Sequence, residues 1–159
     1  MKPTLRFLMS DPAHFIALGF GSGLMPKGPG TAGTLVGWLL FPFVRAPLSD
    51  PLFGGLLLAS FLFGILACER TGRALGVADH GGIVWDEIVA IWLVLWLTPT
   101  TLAWQATAFV LFRFFDIVKP PPIRWVDERT RGGLGVMFDD LLAAGYTLLM
   151  LALLVRLIA

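Results

Sequence analysis

Apolar and polar residues fall along this chain in blocks, and the block lengths predict helices. Residues 34–46 and 52–68 are apolar and are separated by Pro47, Ser49, Asp50 and Pro51, which reads as helix, turn, helix. Residues 83–97 and 101–117 form a second apolar pair around Thr98-Pro99-Thr100, and residues 141–158 are apolar except for a few positions, Arg156 being the one charge. Polar stretches at 1–33, 69–82 and 118–138 lie between these blocks. A membrane span needs about 20 residues at about 1.5 Å each. Residues 52–68 and 141–158 approach that length. Residues 34–46 give only about 20 Å by the same rise, so this segment is expected to be re-entrant or to extend N-terminally. The pattern predicts an all-α, polytopic membrane helix bundle of four or five spans or half-spans, five preferred, forming one domain.

Composition strengthens the membrane reading. Of 159 residues, 57% are hydrophobic and 14% charged, against about a quarter charged in soluble domains. Mean hydropathy is +0.80. A net charge of +1 without a basic run gives no support for nucleic-acid binding. One cysteine, Cys68, excludes an internal disulfide and reads as a buried thiol. Asp11, Pro12 and His14 interrupt the apolar run that a cleavable signal would need after Lys2 and Arg6. If the three polar stretches share one side, that side holds Lys2, Arg6, Lys27, Arg70, Arg73, Arg113, Lys119, Arg124, Arg129 and Arg131, leaving Arg45 and Arg156 opposite. The positive-inside bias makes the crowded side cytoplasmic. Two hairpins and a final span then place the C-terminus outside, with Trp92, Trp96 and Trp104 toward the outer half as an aromatic belt or as core packing.

The chemistry is expected in the polar stretches. The first contains Lys27-Gly28-Pro29-Gly30-Thr31-Ala32-Gly33-Thr34, leading into an apolar helix. Glycines let backbone N–H groups approach an anion, and a helix N-terminus adds partial positive charge. Lys27 supplies a full charge, and Thr31 and Thr34 supply hydroxyls. The second stretch carries Glu69 at the end of one helix, Asp79-His80 in a loop, and Asp86-Glu87 at the start of the next helix. A carboxylate at a helix C-terminus is disfavoured by the dipole, which favours a bound cation or an arginine beside Glu69. The third runs from Arg113 through Asp116, Lys119 and Pro120-Pro121-Pro122 to Arg124 and Asp127, then to Gly132, Gly133, Gly135 and Asp139-Asp140. Arg113, Asp116 and Lys119 share roughly one helix face, and the prolines stop that helix. The glycines read as a tight turn, with Asp139-Asp140 opening the last helix. Paired carboxylates suit a hard cation such as Mg²⁺, which takes oxygen ligands. No Ser-His-Asp pattern, Cys/His zinc spacing or dinucleotide fingerprint stands out.

At these residues the sequence resembles the phosphatidylglycerophosphatase A family. The matching stretches are Gly19 to Pro26, Pro29 to Thr34, Asp79-His80 with Ile83 to Glu87, Arg113 to Arg124, and Gly132 to Asp140. Ala90 departs from the pattern, standing where a glycine is expected. The resemblance implies a Mg²⁺-dependent lipid phosphatase of the bacterial inner membrane that converts phosphatidylglycerophosphate to phosphatidylglycerol and phosphate. The residues fit a metal-assisted hydrolysis. Mg²⁺ would be held by some of Glu69, Asp79, Asp86, Glu87, Asp139 and Asp140. Lys27, Gly30, Thr31, Lys119 and Arg124 would hold phosphate. Asp116, Asp86 and Asp139 are the expected catalytic carboxylates, Asp116 as base or orienting partner, with an aspartyl-phosphate route left open. Two alternatives remain. A CDP-alcohol phosphotransferase also clusters aspartates at the membrane face, but its long Asp-Gly…Asp…Asp signature is absent. A non-enzymatic membrane subunit would carry ionisable residues along a midplane path. The sequence does not fix the oligomeric state.

Overall fold

The computed structural model describes residues 2–158, and among them it is all helical. Two short helices, α1 (Leu5–Leu8) and α2 (Pro12–Ala17), and a 3-10 turn over Gly19–Leu24 come first. They are followed by α3 (Pro29–Arg45), α4 (Asp50–Leu75), α5 (Trp85–Trp96), α6 (Leu102–Val118), α7 (Ile123–Arg129) and α8 (Gly132–Ile158). The starts follow local chemistry. Thr4 and Asp11 cap α1 and α2 by accepting from the N–H groups of Phe7 and Ala13. Pro29 and Pro51 occupy first-turn positions whose N–H would be unpaired in any case. α6 stops at Val118, ahead of the three prolines.

Helix α5 is the axis of the bundle. Every residue from Trp85 to Leu95 except Leu93 is buried, and α3, α4, α6 and α8 all pack against it. Its indoles fix its height. Trp85 Nε1 donates to the Ser60 carbonyl at 3.1 Å, Trp92 Nε1 to the Gly37 carbonyl at 2.8 Å, and Trp96 Nε1 to Asp50 Oδ1 at 3.2 Å. Trp92 is therefore a core residue, and Trp96 belongs to the α3–α4 turn, where Asp50 also pairs with Arg45. Trp104 is half-buried against the same core. The Trp85–Ser60 bond sets the start of α5 level with the middle of α4. Ser60 lies about 15 Å from Asp50 and about 22 Å from Leu75 at 1.5 Å per residue.

One expectation about the elements is narrowed and two change. The 34–46 segment extends N-terminally to Pro29, the second of its two expected forms. α4 continues beyond residue 68 through Glu69, Arg70 and Arg73 to Leu75. Its charges are partnered within and beside the helix: Arg73 Nε donates to Glu69 Oε1 at 2.7 Å, and Arg70 pairs with Asp11. Asp139 and Asp140 do not open α8, which starts at Gly132 and carries them in its third turn. Gly133 is helical because its backbone lies directly on α4. A Cβ there would run into the Ile65 carbonyl and come 2.8 Å from the Glu69 nitrogen. Such close crossings are typical of small residues between membrane helices.

α4 and α8, of 26 and 27 residues, are the helices among the described residues that are long and apolar enough to cross a membrane. Only 33% of the apolar stretch of α4 and 22% of that of α8 are buried, so their leucines, among them Leu58, Leu62, Leu149 and Leu153, face outward.

Candidate functional site

Four helix ends meet halfway along α4. The start of α5 brings Asp86 and Glu87, the third turn of α8 brings Asp139 and Asp140, the last turns of α6 bring Arg113 and Asp116, and the first turn of α3 brings Gly30. Asp86, Glu87, Asp139 and Asp140 are all buried. One carboxylate oxygen each of Asp86, Glu87 and Asp140 lies within 4.8 Å of the other two. Four buried oxygens, Asp86 Oδ1, Glu87 Oε2, Asp139 Oδ1 and Asp140 Oδ2, have no hydrogen-bond partner among the described residues. Carboxylates this close repel one another unless a cation lies between them, and leaving them dry and unpaired is expensive.

Arg113 is the guanidinium among these groups. Its Nη1 bonds Asp116, approaches Glu87 Oε1 at 3.5 Å and donates to Thr34 Oγ1 at 3.5 Å. Thr34 in turn donates to the Gly30 carbonyl at 2.8 Å. Gly30 lies flat against this pair. A Cβ there would meet Glu87 Oε1 and come 3.1 Å from Arg113 Nη2. The glycine-rich lead-in and the acidic cluster are thus one site, although they are far apart in sequence. Asp116 also lies beside Asp140.

Lys119 organises the other edge. It caps α6 in the left-handed conformation, at φ 47°. Its Nζ lies 2.5 Å from Asp139 Oδ2 and 3.0 Å from Asp127 Oδ1. Burial alone would lower its pKa, but the bonds to Asp139 and Asp127 outweigh this and hold it above the usual lysine range. As a phosphate ligand it would have to leave one of these carboxylates. Tyr146 OH donates to the Pro121 carbonyl at 2.7 Å, which keeps the proline segment against α8.

The remaining expected residues lie around this centre. Glu69 stands apart from the carboxylate trio, with both oxygens used: Oε1 accepts from Arg73 and Oε2 from the Gly133 N–H at 2.7 Å. Asp79 is on the exposed loop between α4 and α5. Crowding by protein around its carboxyl raises its pKa, Lys119 opposes this, and Asp127 and Asp116 add to it. His80 is half-buried, its Nδ1 accepting from the Gly82 N–H at 3.0 Å. Lys27, Thr31 and Arg124 are exposed. Lys27 is three residues from Gly30, a chain length of at most about 11 Å, so it stands at the rim. Arg113 was not among the expected site residues. Its signal was available, as a cation in an apolar helix three positions before an aspartate.

Hard oxygen donors with unpaired lone pairs are the donor set for a divalent cation such as Mg²⁺. Asp86, Glu87 and Asp140 fit it as a group, and Asp139 lies next to them with one free oxygen. With a phosphate ester beside such a cation, the site has parts that could serve hydrolysis: carboxylates able to hold a metal, a guanidinium, a nearby further carboxylate and a lysine at the rim.

A family model described as Phosphatidylglycerophosphatase A matches residues 15–155. A Phosphatidylglycerophosphatase A of Haemophilus influenzae is 44% identical over 150 residues, covering 93% of this chain and 91% of its own. One from Escherichia coli K12 is 43% identical over 142 residues, covering 87% and 80%. A Putative phosphatidylinositol-3-phosphatase of Bacteroides thetaiotaomicron is 39% identical over 145 residues, covering 86% and 89%. No solved structure matches.

Proposed function

We propose that this chain, which belongs to the phosphatidylglycerophosphatase A family, hydrolyses phosphatidylglycerophosphate to phosphatidylglycerol and phosphate with the help of Mg²⁺. The observation that carries the metal part is the convergence of the buried carboxylates of Asp86, Glu87 and Asp140, each of which has one oxygen without a hydrogen-bond partner among the described residues. These three would hold the ion, with Asp139 next to them. When bound, Mg²⁺ neutralises phosphate charge and lowers the pKa of a coordinated water.

The chain's own groups do the rest. Arg113 holds Asp116 and Glu87 in place from α6. Asp116 takes the proton of the attacking water on the oxygen that Arg113 leaves free. The water oxygen bonds to phosphorus, the bond from phosphorus to the glycerol oxygen breaks, and the proton passes to the leaving alkoxide. Lys27 and the first-turn amides of α3 stabilise the phosphate oxygens from the rim. Lys119, tied to Asp139 and Asp127, keeps the α6–α7 connection over the site.

A multi-pass arrangement in the bacterial inner membrane is part of the same proposal. α4 and α8 span fully, while α3, α5 and α6, of 17, 12 and 17 residues, are shorter spans or half-spans in a five-helix bundle. The outward leucines of α4 and α8 support this, since lipid is the medium that covers such faces at no cost. The polar segments face the cytoplasm by the lysine and arginine count.

The test is phosphate release by the purified protein in detergent. Phosphatidylglycerophosphate should be hydrolysed, phosphatidylinositol 3-phosphate at least tenfold more slowly, and EDTA should abolish release until Mg²⁺ is restored. Full turnover in EDTA would remove the metal from the account. A preference for the inositol lipid would reassign the substrate.

A further inference from the structure

A cavity of about 260 Å³ runs between α4, α5 and α8, and its walls are apolar except at one point. Leu58 and Phe61 come from α4, Ala90 and Leu93 from α5, and Leu141 from α8; the exception is Asp86. Leu58 is 61% exposed, on the same outward face of α4 as Leu62. The cavity therefore leads from the apolar flank of the bundle to a carboxylate of the acidic cluster.

We propose that this groove seats one acyl chain of the phospholipid substrate and is the sideways route by which that lipid reaches the site. The proposal rests on the lipid-phosphatase reading and specifies how the substrate is held. Three observations favour an acyl chain over other occupants. The carboxylates lie about halfway along α4, below the layer formed by α1, α2 and the 3-10 turn. The backbone contact in which Val84 N–H donates to the Ala17 carbonyl at 2.8 Å ties that layer to the start of α5, whereas the groove opens on the apolar flank. A substrate with an anionic head and an apolar tail matches a groove with an acidic, cation-ready end and hydrocarbon walls. At roughly 30 Å³ for a water-sized group, the volume takes about eight or nine such groups, a segment of a single acyl chain.

The test uses the whole protein in vesicles containing phosphatidylglycerophosphate that carries a photoactivatable diazirine midway along one acyl chain. Crosslinked residues are read by mass spectrometry. Label is expected on Phe61 and Leu93. Excess unlabelled phosphatidylglycerophosphate should compete it at least fivefold, and phosphatidylcholine should not. Label on outward Leu149 and Leu153 should be indifferent to both competitors. Ala90→Phe and Leu58→Trp, which fill the groove from its wall and its mouth, should each lower label at Phe61 fivefold or more and raise KM for the lipid. Leu58 is exposed, so that variant keeps the test alive if Ala90→Phe does not fold. Groove label equal to the outward label, competed by any lipid or unchanged in the folded variants, would overturn the proposal. Specific groove label without phosphate release would keep the lipid site and remove the phosphatase reading instead.

Discussion

Asp86 and Asp140 are buried carboxylates with no ion-pair partner among the described residues. Each contributes an oxygen that no described residue satisfies. Asp86→Asn and Asp140→Asn should each lower kcat by a hundredfold or more, about 2.7 kcal/mol of transition-state stabilisation, while the melting temperature holds or rises as repulsion is relieved. A large fall in melting temperature with turnover retained would make them structural. Arg113 is the opposite case. Removing it in Arg113→Ala leaves Asp116 and Glu87 without their cation, and breaking a buried pair in this way costs about 3–5 kcal/mol. Turnover and melting temperature should fall together, with Arg113→Lys recovering part of the stability. Glu69→Gln should stay within threefold of wild-type turnover, because both oxygens of Glu69 serve Arg73 and the Gly133 N–H. A hundredfold loss there would return Glu69 to the metal. Asp86-Glu87 was legible in the sequence because two adjacent acids begin an apolar helix. The Glu69 contacts were not, because they depend on where α8 crosses α4.

At the scale of elements, the long helices carry the polar segments rather than ending before them. Glycine is a poor helix former, so Gly132, Gly133 and Gly135 read as a turn. The close crossing onto Ile65 and Glu69 overrides that propensity and moves Asp139-Asp140 inward by two turns. The same crossing is testable. Gly133→Leu should push α8 off α4, abolish turnover and destabilise the protein, whereas Gly145→Leu, at a glycine with open space around it, should do neither. The N-terminal helices are held differently. His14 is buried in α2, stacked on Phe7 with centroids 4.2 Å apart and bonded through Nδ1 to Thr71 Oγ1 of α4 at 2.9 Å. Burial lowers its pKa, Asp11 opposes this, and Arg70 adds to it. A histidine held neutral in the folded state binds fewer protons than in the unfolded state. Docking of α2 is therefore fully supported above the unfolded value of about 6.5 and weakens as pH falls below it. The protection factors of the amides of residues 13–17, corrected for the intrinsic pH dependence of exchange, should fall between pH 7 and pH 5, and His14→Gln should flatten that change.

At the scale of the molecule, the block pattern of the chain carried the fold class, and the count of lysine and arginine carried its expected orientation. What the pattern could not supply was depth. α5 starts level with Ser60, so the carboxylates are recessed rather than level with the ends of α4 and α8. That is a consequence of one indole bond and of unequal helix lengths, neither of which is written in local sequence. The proposed five-span bundle would put the N-terminus in the cytoplasm and the C-terminus outside. Single cysteines at residues 2 and 158, in a chain with Cys68→Ala, should label from opposite sides of the membrane. Labelling of both from one side would remove a span.

The proposed site would hold one cation on the carboxylates of Asp86, Glu87 and Asp140. Mn²⁺, a spectroscopic substitute for Mg²⁺ with the same preference for oxygen ligands, can be titrated into the metal-free protein and followed by electron paramagnetic resonance. Wild type should bind it and lose it to excess Mg²⁺. Asp86→Asn and Asp140→Asn should weaken binding tenfold or more, while Asp127→Asn, whose carboxylate pairs with Lys119 outside the trio, should bind as wild type does. Equal affinity in all four proteins would contradict the account.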